Sequence, residues 1–222
     1  MTGWGLSTIG RAALDLLLPA ACAGCGELGS PCCPACAAAF DGARLFARGE
    51  RVHALARYDG VARRLVLAYK EQGRRDLAAP LGQLLATAVP LLPRAGPDST
   101  GTWWLVPVPS RRIAARARGG SHLERLARHC AAQLAADGHA VAVAPALELG
   151  AGARDAVGLA RAERVANLAG RLRLRPAGAP PPGTPVVLLD DVVTTGATVD
   201  ACLRTLTAGG LEVTAALALT AV

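Results

Sequence analysis

Two stretches of this 222-residue chain combine residue types and spacings that can do chemistry. Residues 186–200 read VVLLDDVVTTGATVD, so that two adjacent carboxylates, Asp190 and Asp191, follow four apolar residues. Thr194, Thr195, Gly196, Ala197 and Thr198 come next, a small hydroxyl-rich turn ahead of an amphipathic run that ends near Ala208. A turn of this kind attracts an anion, because the N–H groups at a helix start lack intrahelical partners, the helix dipole is positive there, and Gly196 lets the backbone come close. Carboxylates are poor partners for a phosphate but good acceptors for a diol. Phosphate and ribose can therefore be held side by side. The stretch matches neither GxGxxG nor GxxxxGK[ST], which argues against a dinucleotide fingerprint and against a P-loop.

Residues 22–36 read CAGCGELGSPCCPAC. Each CxxC turn aims two sulfurs at one point, so Cys22 with Cys25 and Cys33 with Cys36 suit a tetrahedral structural zinc. Cys32 is a spare that either replaces Cys33 or stands by. A redox dithiol would show one CxxC inside a βαβ unit. Five of the seven cysteines sit in this cluster, and the run GLSTIGRAALDLLLPAAC before it lacks a basic start, carries Asp15 within its apolar stretch and is stopped by Pro19. It reads as an amphipathic helix, not an export signal. A cytoplasmic protein with a metal site is expected, rather than one with disulfides. No apolar run reaches the ~18 residues of a membrane span.

All but one of the 24 basic residues are arginine, and the net charge is +7. Anionic partners are favoured, whether nucleic acid or a polyphosphate. Arg63, Arg64, Arg74 and Arg75 read as a solvated helix face. Lys70, the lone lysine, stands apart, because a compact ammonium suits a point contact to a phosphate oxygen where a planar guanidinium does not.

The elements that must position these groups follow from periodicity and breakers. Residues 186–189 form a buried parallel strand, with the Asp pair standing at its carboxyl end. Strands are also expected at 51–58, 103–108, 139–143 and 211–220. Helices are expected over 60–92, broken near Gly73, and over 121–136. Residues 94–102 are a turn-rich linker after which the main run of strands begins, 176–185 a surface turn, and 152–170 a mobile loop entering a short helix. The basic loop carrying Arg111 and Arg112 lies at the carboxyl end of strand 103–108, where parallel sheets bind ligands. His122, His129 and His139 lack metal spacing and read as surface or helix residues, and Cys130 as packing. The alternation of strands and helices, without a hairpin signal, indicates a parallel α/β sheet over 51–222 behind an N-terminal helix and four-cysteine zinc module over 1–50.

The residues 186–200 resemble the ribose 5-phosphate motif of type I phosphoribosyltransferases, which bind phosphoribosyl pyrophosphate (PRPP). Taken with the double CxxC, AYKEQGRRDLAAPLG around Lys70, VPVPSRR, Arg118-Gly119, and the GLxxxERxxN pattern ending at Arg164 and Asn167, nearly the whole chain resembles the ComF family of phosphoribosyltransferase-like proteins linked to bacterial DNA uptake. Where that family commonly has an RGFNQ-like run, Arg118-Gly119 is followed here by Gly120, Ser121 and His122.

The resemblance implies a type I phosphoribosyltransferase-like fold. Asp190 and Asp191 would take the ribose hydroxyls, while Val192, Thr194, Thr195, Gly196, Ala197 and Thr198 wrap the 5-phosphate. Lys70, Arg111 and Arg112 would meet the pyrophosphate, and magnesium would bridge pyrophosphate and ribose oxygens. Asp190, Asp191 and Lys70 are the expected catalytic groups, since the chemistry consists largely of holding a leaving anion and positioning a nucleophile. Residues 152–167 would close over the site. Two functions fit the resemblance. One is phosphoribosyl transfer to or from a nitrogenous acceptor. The other is a non-catalytic, PRPP- or nucleotide-binding accessory role in DNA uptake, through single-stranded DNA or a helicase-like partner. Only seven aromatic residues are present, few for a stacking platform.

Overall fold

The structure, a computed structural model, describes residues 20–40, 46–109, 120–150 and 171–222. The N-terminal helix, Arg111, Arg112, Arg118 and the 152–170 segment lie outside the described residues.

A short helix α1 (Pro34–Ala37) is followed by strands β1 (Phe46–Arg48) and β2 (Val52–Arg57), helices α2 (Gly60–Lys70) and α3 (Ala78–Ala88), β3 (Thr102–Pro107), α4 (His122–Ala136), β4 (Ala140–Val143), β5 (Leu147–Leu149), β6 (Leu172–Leu174), β7 (Pro185–Val193), α5 (Ala197–Ala208) and β8 (Glu212–Ala221). One sheet has the order β1-β2-β8-β7-β3-β4, and every pairing in it is parallel except the antiparallel edge β1. β2, in the 51–58 strand, pairs with β8, so the main sheet begins before the 94–102 turn and not after it. A second correction is the antiparallel pair β5-β6, which three-residue strands leave without a readable alternation.

Both faces of the sheet are covered. On one, Leu65 and Tyr69 of α2, Leu81 and Leu85 of α3 and Leu126 of α4 pack on Val187 and Leu189 of β7. On the other, Val199, Cys202 and Leu206 of α5 pack on Val186 and Leu188. This burial on two faces explains why β7 opens as an uninterrupted apolar run.

Strand order also locates the crevice. β3 leads through α4 outward to β4, while β7 leads through α5 outward in the other direction to β8. Crossovers of one hand running in opposite directions place their helices on opposite faces, as α4 and α5 are. The gap between them lies beyond the carboxyl ends of β3 and β7, the usual ligand position in open α/β sheets.

Helices α3 and α4 meet at Gly82. A Cβ there would lie 2.6 Å from His129 Cβ and 2.9 Å from the Cys130 amide nitrogen. Gly82→Ala is expected to destabilise the protein in chemical denaturation. Overpacking costs about 1–3 kcal/mol, which outweighs the roughly 1 kcal/mol that alanine gains in helix propensity.

Candidate functional site

β7 runs through the Asp pair to Val193, longer than residues 186–189. Charge suggested an early end, because Asp is depleted in strands. The strand continues because β8 keeps pairing, through Asp190 with Ala218 and Val192 with Thr220, while the last β3 pairing is Pro107 with Leu189. Among the described residues, no strand pairs with β7 on its β3 side beyond Leu189.

Period-two alternation sends adjacent side chains to opposite faces. Asp191 follows Leu189 toward α2 and α4, where Lys70 Nζ donates to its Oδ1 at 2.9 Å and His122 Nε2 lies 2.7 Å from its Oδ2. Burial opposes the ionisation of Asp191, but the hydrogen bond to His122 and the charge of Lys70 outweigh it and hold the carboxyl below its usual range. An ionised carboxylate only accepts, so Nε2 carries the proton. Lys70 responds in kind: burial works against its charge, yet the attraction of Asp191 raises its pKa.

Asp190 follows Leu188 toward α5. Its Oδ1 accepts from the Asp191 amide at 2.8 Å, the one hydrogen bond of this carboxyl among the described residues. Burial pushes Asp190 up to about 7, and the neighbouring charge of Asp191 adds to the rise. The two acids that look equivalent in sequence are thus in opposite electrostatic states.

The turn after β7 enters α5 through Gly196, which has φ +82, a left-handed conformation that a side chain would strain. No side chain caps the helix. The nearest polar contact at its first residue is a 3.4 Å approach of the Ala197 amide to Thr195 Oγ1. A helix start with no side-chain cap among the described residues is the kind that attracts an anion.

His122 meets the expectation of a helix residue, at the first position of α4, but not that of a surface one. It is buried against Asp191, not on the surface, and it lies among the residues where the chain departs from the RGFNQ-like run. Its spacing carried no signal, because its partner lies 69 residues away. His129 is exposed and Cys130 fully buried.

The sulfurs of Cys22, Cys25, Cys33 and Cys36 all lie within 4.8 Å of one another. That suits four thiolates around one ion, since a tetrahedron with Zn–S bonds of about 2.3 Å puts sulfurs slightly under 4 Å apart. Cys32 is outside the cluster; its sulfur faces the Cys33 carbonyl oxygen at 4.0 Å. Gly24 belongs to the same construction, because a Cβ there would sit 2.6 Å from Cys36 Sγ. Two arginines read as solvated instead dock this module. Arg64 Nε donates to the Gly24 carbonyl at 2.7 Å, and Arg74 donates to the Ala21 carbonyl at 2.8 Å while pairing with Asp76. Arg63 stacks over Tyr58.

No protein-family model and no curated protein matches the chain. Among solved structures, a UMP synthase of Leishmania donovani is similar over 84% of this chain and 30% of its own, at 15% identity and a TM-score of 0.36. The chain spans less than a third of that protein's length. Among the described residues no helix is long and apolar enough to cross a membrane.

Proposed function

We propose that this is a type I phosphoribosyltransferase-like protein of the ComF kind that binds the ribose 5-phosphate part of PRPP, with a structural zinc in its four-cysteine module. One observation carries the reading: a carboxyl pair at the carboxyl end of β7, between helices on opposite faces, runs straight into an uncapped helix start. The first turn of α5 receives the 5-phosphate through its orphan amides and the Thr194, Thr195 and Thr198 hydroxyls. The Asp190 carboxyl, with one oxygen making no hydrogen bond among the described residues, accepts from a ribose hydroxyl. Lys70 supplies a positive charge from the opposite face of the sheet, through its pairing with Asp191. Charge held in place in this way, around a departing pyrophosphate, is what phosphoribosyl transfer requires.

Magnesium fits the same residues, because it favours few protein ligands and completes its shell from phosphates and water. Asp190 has the uncommitted oxygen that such an ion would take. A bound magnesium would neutralise pyrophosphate charge. The phosphoribosyl acceptor is a nitrogenous base, and the reaction belongs in the cytoplasm.

Calorimetry with ribose 5-phosphate, its 2-deoxy analogue and inorganic phosphate tests the reading. At pH 8, where Asp190 is ionised, ribose 5-phosphate should bind at least tenfold more tightly than the deoxy sugar, since a hydrogen bond to a charged group is worth about 1.5–3 kcal/mol. Equal affinity for the two sugars would overturn it.

A further inference from the structure

Each oxygen of Asp191 already has a partner within the fold. Its Oδ1 is taken by Lys70 and its Oδ2 by His122, and the Asp191 and His122 side chains are only 4% and 7% exposed. The 2.7 Å separation at His122 is in the range of a charge-assisted hydrogen bond. The backbone of His122 is fixed in turn, because Tyr69 donates its hydroxyl to the His122 carbonyl at 2.6 Å. Tyr69 and Lys70 are neighbours in α2, so α2, the start of α4 and β7 are tied into one closed circuit. The Lys70 side chain is one-third exposed, which makes it the member of the circuit that can reach a ligand.

A packing role would not call for this residue. A leucine fills comparable volume, but it would leave Asp191 Oδ2 buried without a donor, the costly arrangement for a carboxylate. Nor can Asp191 turn toward a sugar without abandoning both partners.

We propose that His122 is a positioning residue of the ligand site: it holds Asp191 so that this carboxylate aims the Lys70 ammonium at the pyrophosphate of a bound PRPP, on the face of the sheet away from the 5-phosphate turn, leaving Asp190 to read the sugar hydroxyl. The inference rests on the ribose-phosphate reading above for its ligand, and on the geometry alone for the placement of Lys70. Positive charge then reaches the crevice through a fixed chain of contacts, not through a free side chain.

Lys70 is the lone lysine, so isotope-labelled lysine gives one side-chain signal, and that signal reports its placement with or without ligand. His122→Leu should shift or broaden the Lys70 Nζ signal, whereas His122→Gln, which keeps a donor, should retain the wild-type signal. In calorimetry, His122→Leu should weaken PRPP binding about tenfold, with ribose 5-phosphate affected less, and His122→Gln should restore most of it. An unchanged Lys70 signal in His122→Leu overturns the proposal. If the leucine variant does not fold, a glutamine variant that loses the signal and the affinity while keeping its melting temperature overturns it equally. If wild-type protein binds no ribose 5-phosphate, the ligand reading fails, and the Lys70 signal still decides whether His122 positions the ammonium.

Discussion

Cys36→Ser is expected to release zinc and lower the stability of the whole protein, not only of residues 20–40. The reason is that the module has no core of its own. Cys22, Cys33, Cys36 and Phe40 belong to the same buried cluster as Leu65 and Tyr69 of α2 and Leu81 of α3, and the Arg64 and Arg74 bonds anchor the knuckle carbonyls to the segment that carries Lys70. Structural zinc is worth about 10 kcal/mol or more in isolated fingers at neutral pH. A module stapled to a domain recovers part of that through its other contacts, so a loss of several kcal/mol is expected. Purified protein should hold one zinc per chain by metal analysis. Cys36→Ser and Cys22→Ser should lose it, Cys32→Ala should keep it, and Gly24→Ala should weaken it by crowding Cys36 Sγ. Metal-free protein with an unchanged melting temperature would show that the four sulfurs meet for another reason.

What was legible in the sequence depended on distance along the chain. The paired CxxC knuckles, the β7-turn-α5 motif and the 121–136 helix are local patterns. Their physics lies in turn geometry and periodicity, each readable within about one helical or strand length. Pairings across the chain were not readable. Arg64 meets Gly24 over 40 residues and Lys70 meets Asp191 over 121; in sequence, Arg64 looks like one more member of a solvated face, and Lys70, although it stands apart, gives no sign of its partner. The Asp pair shows the same limit at short range. Adjacent acids suggested adjacent acceptors, but the end of the strand decides whether alternation applies, and that end is set by β8, which lies after the pair in the chain. The singular lysine stands out in sequence as the exception in an arginine-rich chain, but nothing in the sequence marks Asp191 as its partner.

The two carboxylates should respond to the same substitution with opposite signs. Asp190→Asn mimics the neutral acid that burial favours, and its amide oxygen can still accept from the Asp191 N–H. Because the folded pKa of Asp190 is raised from 3.8 to about 7, the stability of the wild-type acid is fully present below about pH 4 and is lost as pH rises through 7. Asp190→Asn should therefore leave stability unchanged at low pH and raise it at pH 8, by on the order of 2 kcal/mol, a pKa unit being worth about 1.4 kcal/mol before relaxation. Asp191→Asn does the reverse. Its carboxyl is held below the usual range, so its contribution is present above about pH 4 and is lost as pH falls through the folded value. At neutral pH the variant leaves Lys70 and His122 facing an amide, and removing one partner of a buried ion pair costs about 3–5 kcal/mol. The partial exposure of Lys70 puts the expectation at the lower end. Urea denaturation of both variants between pH 4 and 8 should give curves that diverge as pH rises. The stabilised Asp190→Asn protein should at the same time lose its preference for ribose 5-phosphate over the deoxy sugar, because the group that burdens the fold is the one that reads the hydroxyl. If Asp190→Asn destabilises at pH 8, or Asp191→Asn costs nothing there, the two acids do not occupy the opposite states that the sheet imposes on them.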